Sequence, residues 1–149
     1  MTDKQKIAYL SHDPAFGILT RQALELAMSE TPAHRAMYIY LLDLANIHKL
    51  NSAIVYLNVN TRIRKIMSEI KGVYSSILIG RVFSGDEIAM VYPLEECIID
   101  TIIPIFRDEG IGFKYVTAED YLGKPISHYA YVFDSLIASL NEKTYFHAL

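Results

Sequence analysis

"RVFSGDEIAMVYP", residues 81–93, decides how this chain is read. Apolar residues flank Ser84-Gly85-Asp86-Glu87 on both sides. "SSILIGRV" before the turn and "EIAMVY" after it read as the two strands of a hairpin, with Ser84 to Asp86 at its tip. Upstream, "RAMYIYLLD" is apolar at nearly every position, as a strand buried on both faces is, and it ends in Asp43. Strand ends and hairpin tips can share one edge of a sheet, so Asp43, Asp86 and Glu87 can meet. Clustered carboxylates repel one another, and desolvation adds to the cost. A divalent cation removes that conflict. Carboxylate oxygens suit Mg²⁺, which keeps waters and takes the rest of its shell from phosphates. Gly85 lets a phosphate or a base approach the backbone. Phosphoryl or nucleotidyl transfer is the chemistry this suits. The same four residues also make an ordinary polar hairpin turn, and the turn alone does not choose between the two readings.

Around this hairpin the chain alternates between two hydrophobic periods. "ILTRQALELAMSE" predicts a helix with Thr20 at its N-cap and Ala23, Leu24, Ala27 and Met28 on one face. Val59, Ile63, Ile66, Met67 and Ile70 repeat at helical spacing, with Asn60 a candidate cap. Leu94, Cys97, Ile98, Thr101, Ile102 and Ile105 mark a third helix, which Pro104 is expected to bend or end. "IGFKYVTA" alternates like a strand, and Tyr129, Val132, Phe133, Leu136, Ile137 and Leu140 mark a closing helix. The order α-β-α-β-β-α-β-α predicts an α+β sandwich, with helices covering one face of a mainly antiparallel sheet.

A length of 149 residues suits one domain spanning 1–149, and a 52% hydrophobic content suits a buried core. The net charge of −3, with no Lys/Arg run beyond two residues, gives no electrostatic footprint for nucleic acid. One cysteine, Cys97, excludes an internal disulfide and fits a reducing compartment. "MTDKQK" has no apolar signal core, and Asp and Pro interrupt the apolar runs, so a cytoplasmic protein without a membrane span is expected. The histidines (His12, His34, His48, His128 and His147) lack zinc-type spacing, and His48 alone lies near the acidic residues in sequence. Cys97 reads as a core residue, and the scattered tyrosines read as packing residues.

Three segments together resemble the GGDEF domain, the palm-type, nucleotidyl-cyclase-like fold of diguanylate cyclases. "HDPAFGILTRQALE" is similar to the family's opening D-x-L-T-G-L-x-N-R-R, with Asp13, Pro14, Gly17 and Arg21 on matching positions. "LLDLANIHKLNS" is similar to D-x-D-x-F-K-x-x-N-D, and "FSGDEIAMVYP" to Y-G-G-D-E-F-A-x-x-x-P. The resemblance implies a palm-like sandwich in which two domains, each holding GTP and Mg²⁺ (or Mn²⁺), meet as a homodimer to form a cyclic dinucleotide. It implies Asp43 and Asp86 as metal ligands with the Leu44 carbonyl, and Glu87 supporting the metal or the attacking hydroxyl. It implies Asn51 at the base and Ser84 and Gly85 beneath the nucleotide. His48 stands at the position of the family's lysine, with Lys49 next to it.

The departures limit this inheritance. Ala45 replaces the second Asp of D-x-D, Ser84 the first signature glycine, and Ile88 the signature phenylalanine. The family's G-H-x-x-G-D, whose Asp grips guanine, falls on Val55, Tyr56, Val59 and Asn60. An Asn amide pairs bidentately with adenine, so Asn60 raises ATP as an alternative to GTP. The inhibitory R-x-x-D is missing, since Ser75 and Leu78 stand there. In the tail, Asn141 occupies the place of a triphosphate-binding lysine. That loss weakens binding by about 1–3 kcal/mol unless Lys143, Lys114 or Lys124 substitutes. The alternative expectation is a degenerate GGDEF domain that binds a nucleotide or a protein without turnover.

Overall fold

Ala36–Leu44 is the strand on which the rest of the structure is assembled. Tyr40, Leu42 and Leu44 point to one face of the sheet, and Met37, Ile39 and Leu41 to the other. All six are buried. Each contributes about 1.5–3 kcal/mol of hydrophobic stabilisation relative to exposure. A strand buried this way needs partners on both edges and layers on both faces.

The computed structural model describes residues 12–31, 36–44, 56–83, 86–93 and 97–143. The elements are β1 (His12–Asp13), β2 (Ile18–Thr20), α1 (Arg21–Glu30), β3 (Ala36–Leu44), α2 (Tyr56–Val73), β4 (Leu78–Arg81), β5 (Glu87–Pro93), α3 (Ile99–Asp108), β6 (Phe113–Tyr121) and α4 (Ile126–Asn141). The six strands form one sheet in the order β1-β2-β4-β5-β3-β6. All neighbours are antiparallel except β2 and β4, which run parallel. The expected α+β architecture and the β4–β5 hairpin are therefore present.

The helices differ from expectation in covering both faces rather than one. Val59, Ile63, Ile66, Met67 and Ile70 of α2 pack with Ile99, Ile102 and Phe106 of α3 over Tyr40, Leu42 and Leu44. Leu24 and Met28 of α1 pack with Tyr129, Phe133 and Leu140 of α4 over Met37, Ile39 and Leu41. The doubly apolar β3 requires this second layer. Among the described residues, no helix is long and apolar enough to cross a membrane.

Several local expectations are met and others corrected. Thr20 caps α1, its hydroxyl accepting from the Ala23 N–H at 3.3 Å. Asn60 does not cap α2, because the helix begins at Tyr56 and Asn60 lies within it. Cap preference is a weak local bias that the continuing helix overrides. Pro104 does not end α3, which runs on to Asp108. Cys97 is exposed and precedes α3 rather than joining the core. The short β1–β2 hairpin is an addition. Its turn needs Gly17, which has φ of 69° and donates its N–H to the Asp13 carbonyl at 2.9 Å.

Gly80 of β4 packs directly against Leu24 of α1. A Cβ there would lie 2.8 Å from Leu24 Cδ2 and 2.9 Å from Leu24 Cβ. Leu24 is fully buried, so the helix itself has to move. Gly80→Ala is expected to destabilise the fold by about 1–3 kcal/mol. Urea unfolding measures this as a lowered midpoint at unchanged slope.

Candidate functional site

The site grows from the junction of two strands. β3 ends at Leu44, and its N–H donates to the Asp86 carbonyl at 3.0 Å, just before β5 begins at Glu87. Asp43 stands directly opposite Glu87 on one side and opposite Lys114 of β6 on the other. Strand alternation puts Glu87, Asp43 and Lys114 in one cross-strand row, on the sheet face that carries α1 and α4.

Two carboxylates facing each other across a ladder repel, and partial burial strengthens the repulsion. The row supplies its own compensation. Lys114 Nζ lies 3.8 Å from Asp43 Oδ2 and donates to the Lys143 carbonyl at 3.3 Å. Lys114 is only 8% exposed. A lysine buried to this depth requires such partners, since an isolated buried ammonium is costly. Lys143 follows α4 and lines a cavity of about 510 Å³ with Tyr115, Val116, Thr117, Leu136 and Ser139.

The backbone thus puts Asp43, Leu44, Asp86 and Glu87 at one strand junction, and the register adds Lys114, which the sequence offers only as one of three substitute cations. Asn60 stands half-buried on α2, over the other face of the sheet. His48, Asn51, Ser84 and Gly85 lie outside the described residues. Among the described residues, no group of three or more His, Cys, Asp or Glu is positioned to hold a metal ion. Asp43, Asp86 and Glu87 therefore do not form the three-carboxylate cluster that the sequence suggests, and the donor set implied by the resemblance reduces to two carboxylates and a main-chain carbonyl. Its all-oxygen chemistry, together with the Leu44–Asp86 bond that joins its halves, fits Mg²⁺ or Mn²⁺.

Two further clusters fix the framework around this corner. Arg21 at the start of α1 donates to the carbonyls of Val82 at 3.2 Å and Ala130 at 3.3 Å, and pairs with Asp134 at 3.2 Å. Its guanidinium also lies over the rings of Phe83 and Phe133 and 3.6 Å from Glu25. One side chain therefore ties α1 and α4 to the strand end preceding the acidic turn. Arg81 pairs with Asp13 at 3.3 Å and stacks over Phe16, anchoring the opening turn to β4.

At the far end of β6, Asp120 pairs with Lys124 at 3.0 Å and His128 at 2.7 Å, and accepts the Tyr121 N–H at 2.8 Å. The Tyr129 hydroxyl donates to the Tyr121 carbonyl in the same cluster. His128, partly exposed, is a member of this network. Tyr40, Tyr74 and Tyr129 are buried and Tyr38, Tyr92 and Tyr115 pack against the core, whereas Tyr121 and Tyr131 are exposed; burial, followed by the nearby Cys97 thiol, pushes the Tyr40 phenol well above its ordinary pKa.

This architecture is the palm-like α+β fold of GGDEF domains. No protein-family model matches the sequence, and no curated protein matches it. Solved structures do match. A microbial GGDEF domain studied in its interaction with bis-(3,5)-cyclic di-GMP shares 19% identity over 92% of this chain and 91% of that chain, with a TM-score of 0.69. The GGDEF domain of DgcB from Caulobacter crescentus, in complex with c-di-GMP, shares 18% identity over 88% and 85% of the two chains, with a TM-score of 0.64. The S helix-GGDEF-EAL structure of Vibrio cholerae LapD shares 16% identity over 95% of this chain and 37% of that one, with a TM-score of 0.69. Likeness at these identities is likeness of fold.

The Asp120 network carries a pH prediction. Burial alone would raise the Asp120 pKa, but hydrogen bonds from Lys124, the Tyr121 N–H and His128 outweigh it and hold the carboxyl below its ordinary value. A depressed folded pKa gives stability that is present above the unfolded value and lost as pH falls through the folded one. Thermal melts of the wild type and Asp120→Asn are therefore expected to differ most near neutral pH. The difference should shrink as acid takes the carboxylate from below its ordinary pKa to below its depressed one.

Proposed function

We propose that this chain is a divergent GGDEF-type nucleotidyltransferase that condenses purine nucleoside triphosphates, GTP or ATP, into a cyclic dinucleotide in the cytoplasm. The observation that supports the reading is the junction of β3 and β5, where the Leu44–Asp86 backbone bond and the Asp43↔Glu87 register bring these positions of the two strands together. Asp43, Asp86 and the Leu44 carbonyl would hold Mg²⁺ or Mn²⁺. Such an ion neutralises triphosphate charge and lowers the pKa of an attacking hydroxyl. Glu87, opposite Asp43, supports the ribose 3′-hydroxyl as its oxygen bonds to the α-phosphorus and pyrophosphate leaves. By the family resemblance, Ser84, Gly85 and His48 would contact the nucleotide, and Asn51 and Asn60 its base. Two nucleotides must meet, so two copies of the domain face each other.

One observation favours a second reading, a module that binds a nucleotide or a protein without turnover. Asp43 already has a cation beside it in Lys114, and Asn141 stands where the family has a lysine. Incubation with each nucleoside triphosphate and Mg²⁺ or Mn²⁺, followed by chromatography of the products, separates the two. The expected result is a cyclic dinucleotide whose rate per molecule rises with protein concentration. Asp43→Ala and Asp86→Ala should each lower that rate by about 100-fold or more. Calorimetric binding of GTP or ATP without any product, at high protein concentration, supports the binding module instead. Tight binding that survives both substitutions contradicts a metal-centred site.

A further inference from the structure

We propose that Lys114 is the resident counter-ion of the carboxylate corner: its ammonium neutralises Asp43 while no divalent ion is bound, and it is displaced from Asp43 when one binds. This inference rests on the metal-site reading above and assigns that site a regulator.

The geometry supports it in three ways. Lys114 is not a surface lysine, being 8% exposed on the face that packs against α4. Its position is fixed by the ladder, since β6 pairs with β3 residue for residue from Leu44↔Phe113 to Ala36↔Tyr121. Its Nζ to Asp43 Oδ2 separation of 3.8 Å is an ion-pair distance without a close hydrogen bond, whereas the Lys143 carbonyl accepts at 3.3 Å. The ammonium therefore compensates Asp43 electrostatically without a close hydrogen bond to it. It also keeps an acceptor of its own when a divalent cation arrives.

The consequence is competition. An ammonium and a divalent ion sharing one carboxylate repel, and partial burial makes the repulsion stronger than it would be in water. Lys114 thus lowers the affinity of the corner for metal and stabilises its metal-free form. A nucleotide's phosphates, which attract both cations, shift the balance, so metal and nucleotide bind more tightly together than either does alone.

The test uses the full chain and Mn²⁺ alone, with binding followed by calorimetry and by the electron paramagnetic resonance of free Mn²⁺. Lys114→Met keeps the aliphatic stem and removes the charge, whereas Lys114→Arg keeps the charge. Lys114→Met is expected to bind Mn²⁺ about ten-fold tighter than the wild type, and Lys114→Arg to stay within about three-fold of it. Adding Asp43→Asn to Lys114→Met should abolish the gain. Mn²⁺ binding by the wild type that Lys114→Met leaves unchanged or weakens overturns the role of Lys114 and leaves the metal site standing. Absence of Mn²⁺ binding in both proteins overturns both.

A second readout needs no variant and covers the case in which Lys114→Met does not fold. Reductive methylation of Lys114 in the wild type, followed by mass spectrometry, is expected to speed up when Mn²⁺ is added. A labelling rate that saturating Mn²⁺ leaves unchanged overturns the displacement.

Discussion

A strand buried on both faces and hydrogen-bonded on both edges can carry a charge only where it leaves the core, and β3 obeys that constraint. From Met37 to Leu42 its side chains serve the two hydrophobic layers or lie at their margins. Asp43, its only charged residue, comes one position before its end. The antiparallel neighbours then determine what Asp43 faces. β5 enters the sheet at the same level and presents Glu87, while β6 presents Lys114. The facing of Asp43, Glu87 and Lys114 follows from strand pairing, while Asp86 is held from the turn by its carbonyl's bond to the Leu44 N–H.

The charge balance of this corner differs from the one that the acidic residues suggest by themselves. Two carboxylates on neighbouring strands need a positive partner, and a divalent ion is one way to supply it. Lys114 is another, already built into the sheet. On the proposal above, this counter-ion sets a threshold that any bound cation has to exceed, because an ammonium and a divalent ion on one carboxylate repel.

Legibility of the fold tracked the length of each periodic signal. α2 was readable because five apolar residues repeat at helical spacing, and all five are buried. The hairpin was readable because two apolar runs flank a polar turn of fixed chemistry. β1 and β2, with two and three residues, are too short to display any period. The second helical layer was implicit in the doubly apolar β3, yet counting helices against one face concealed it. Lys114 was visible as a lysine in an alternating strand, but its meaning lies in the register of β6 against β3, which no local pattern encodes. The same holds for Asp120, Lys124 and His128, which belong to a strand, a loop and a helix and converge only after the chain turns back.

That turn links the two ends of the molecule. α4 is fastened to β6 at its start, where Asp120 holds Lys124 and His128, and again just past its end, where the Lys143 carbonyl accepts from Lys114. Between these points Tyr129, Phe133 and Leu140 are fully buried against the sheet, and Arg21 binds the Ala130 carbonyl and Asp134 from the neighbouring helix. The acceptor that steadies Lys114 is thus delivered by a helix whose path is fixed some sixteen residues earlier. Loosening α4 at either end removes this acceptor without touching Asp43, Asp86 or Glu87. The electrostatics of the corner are in this sense a property of the α4 layer as much as of the strands that carry the charges.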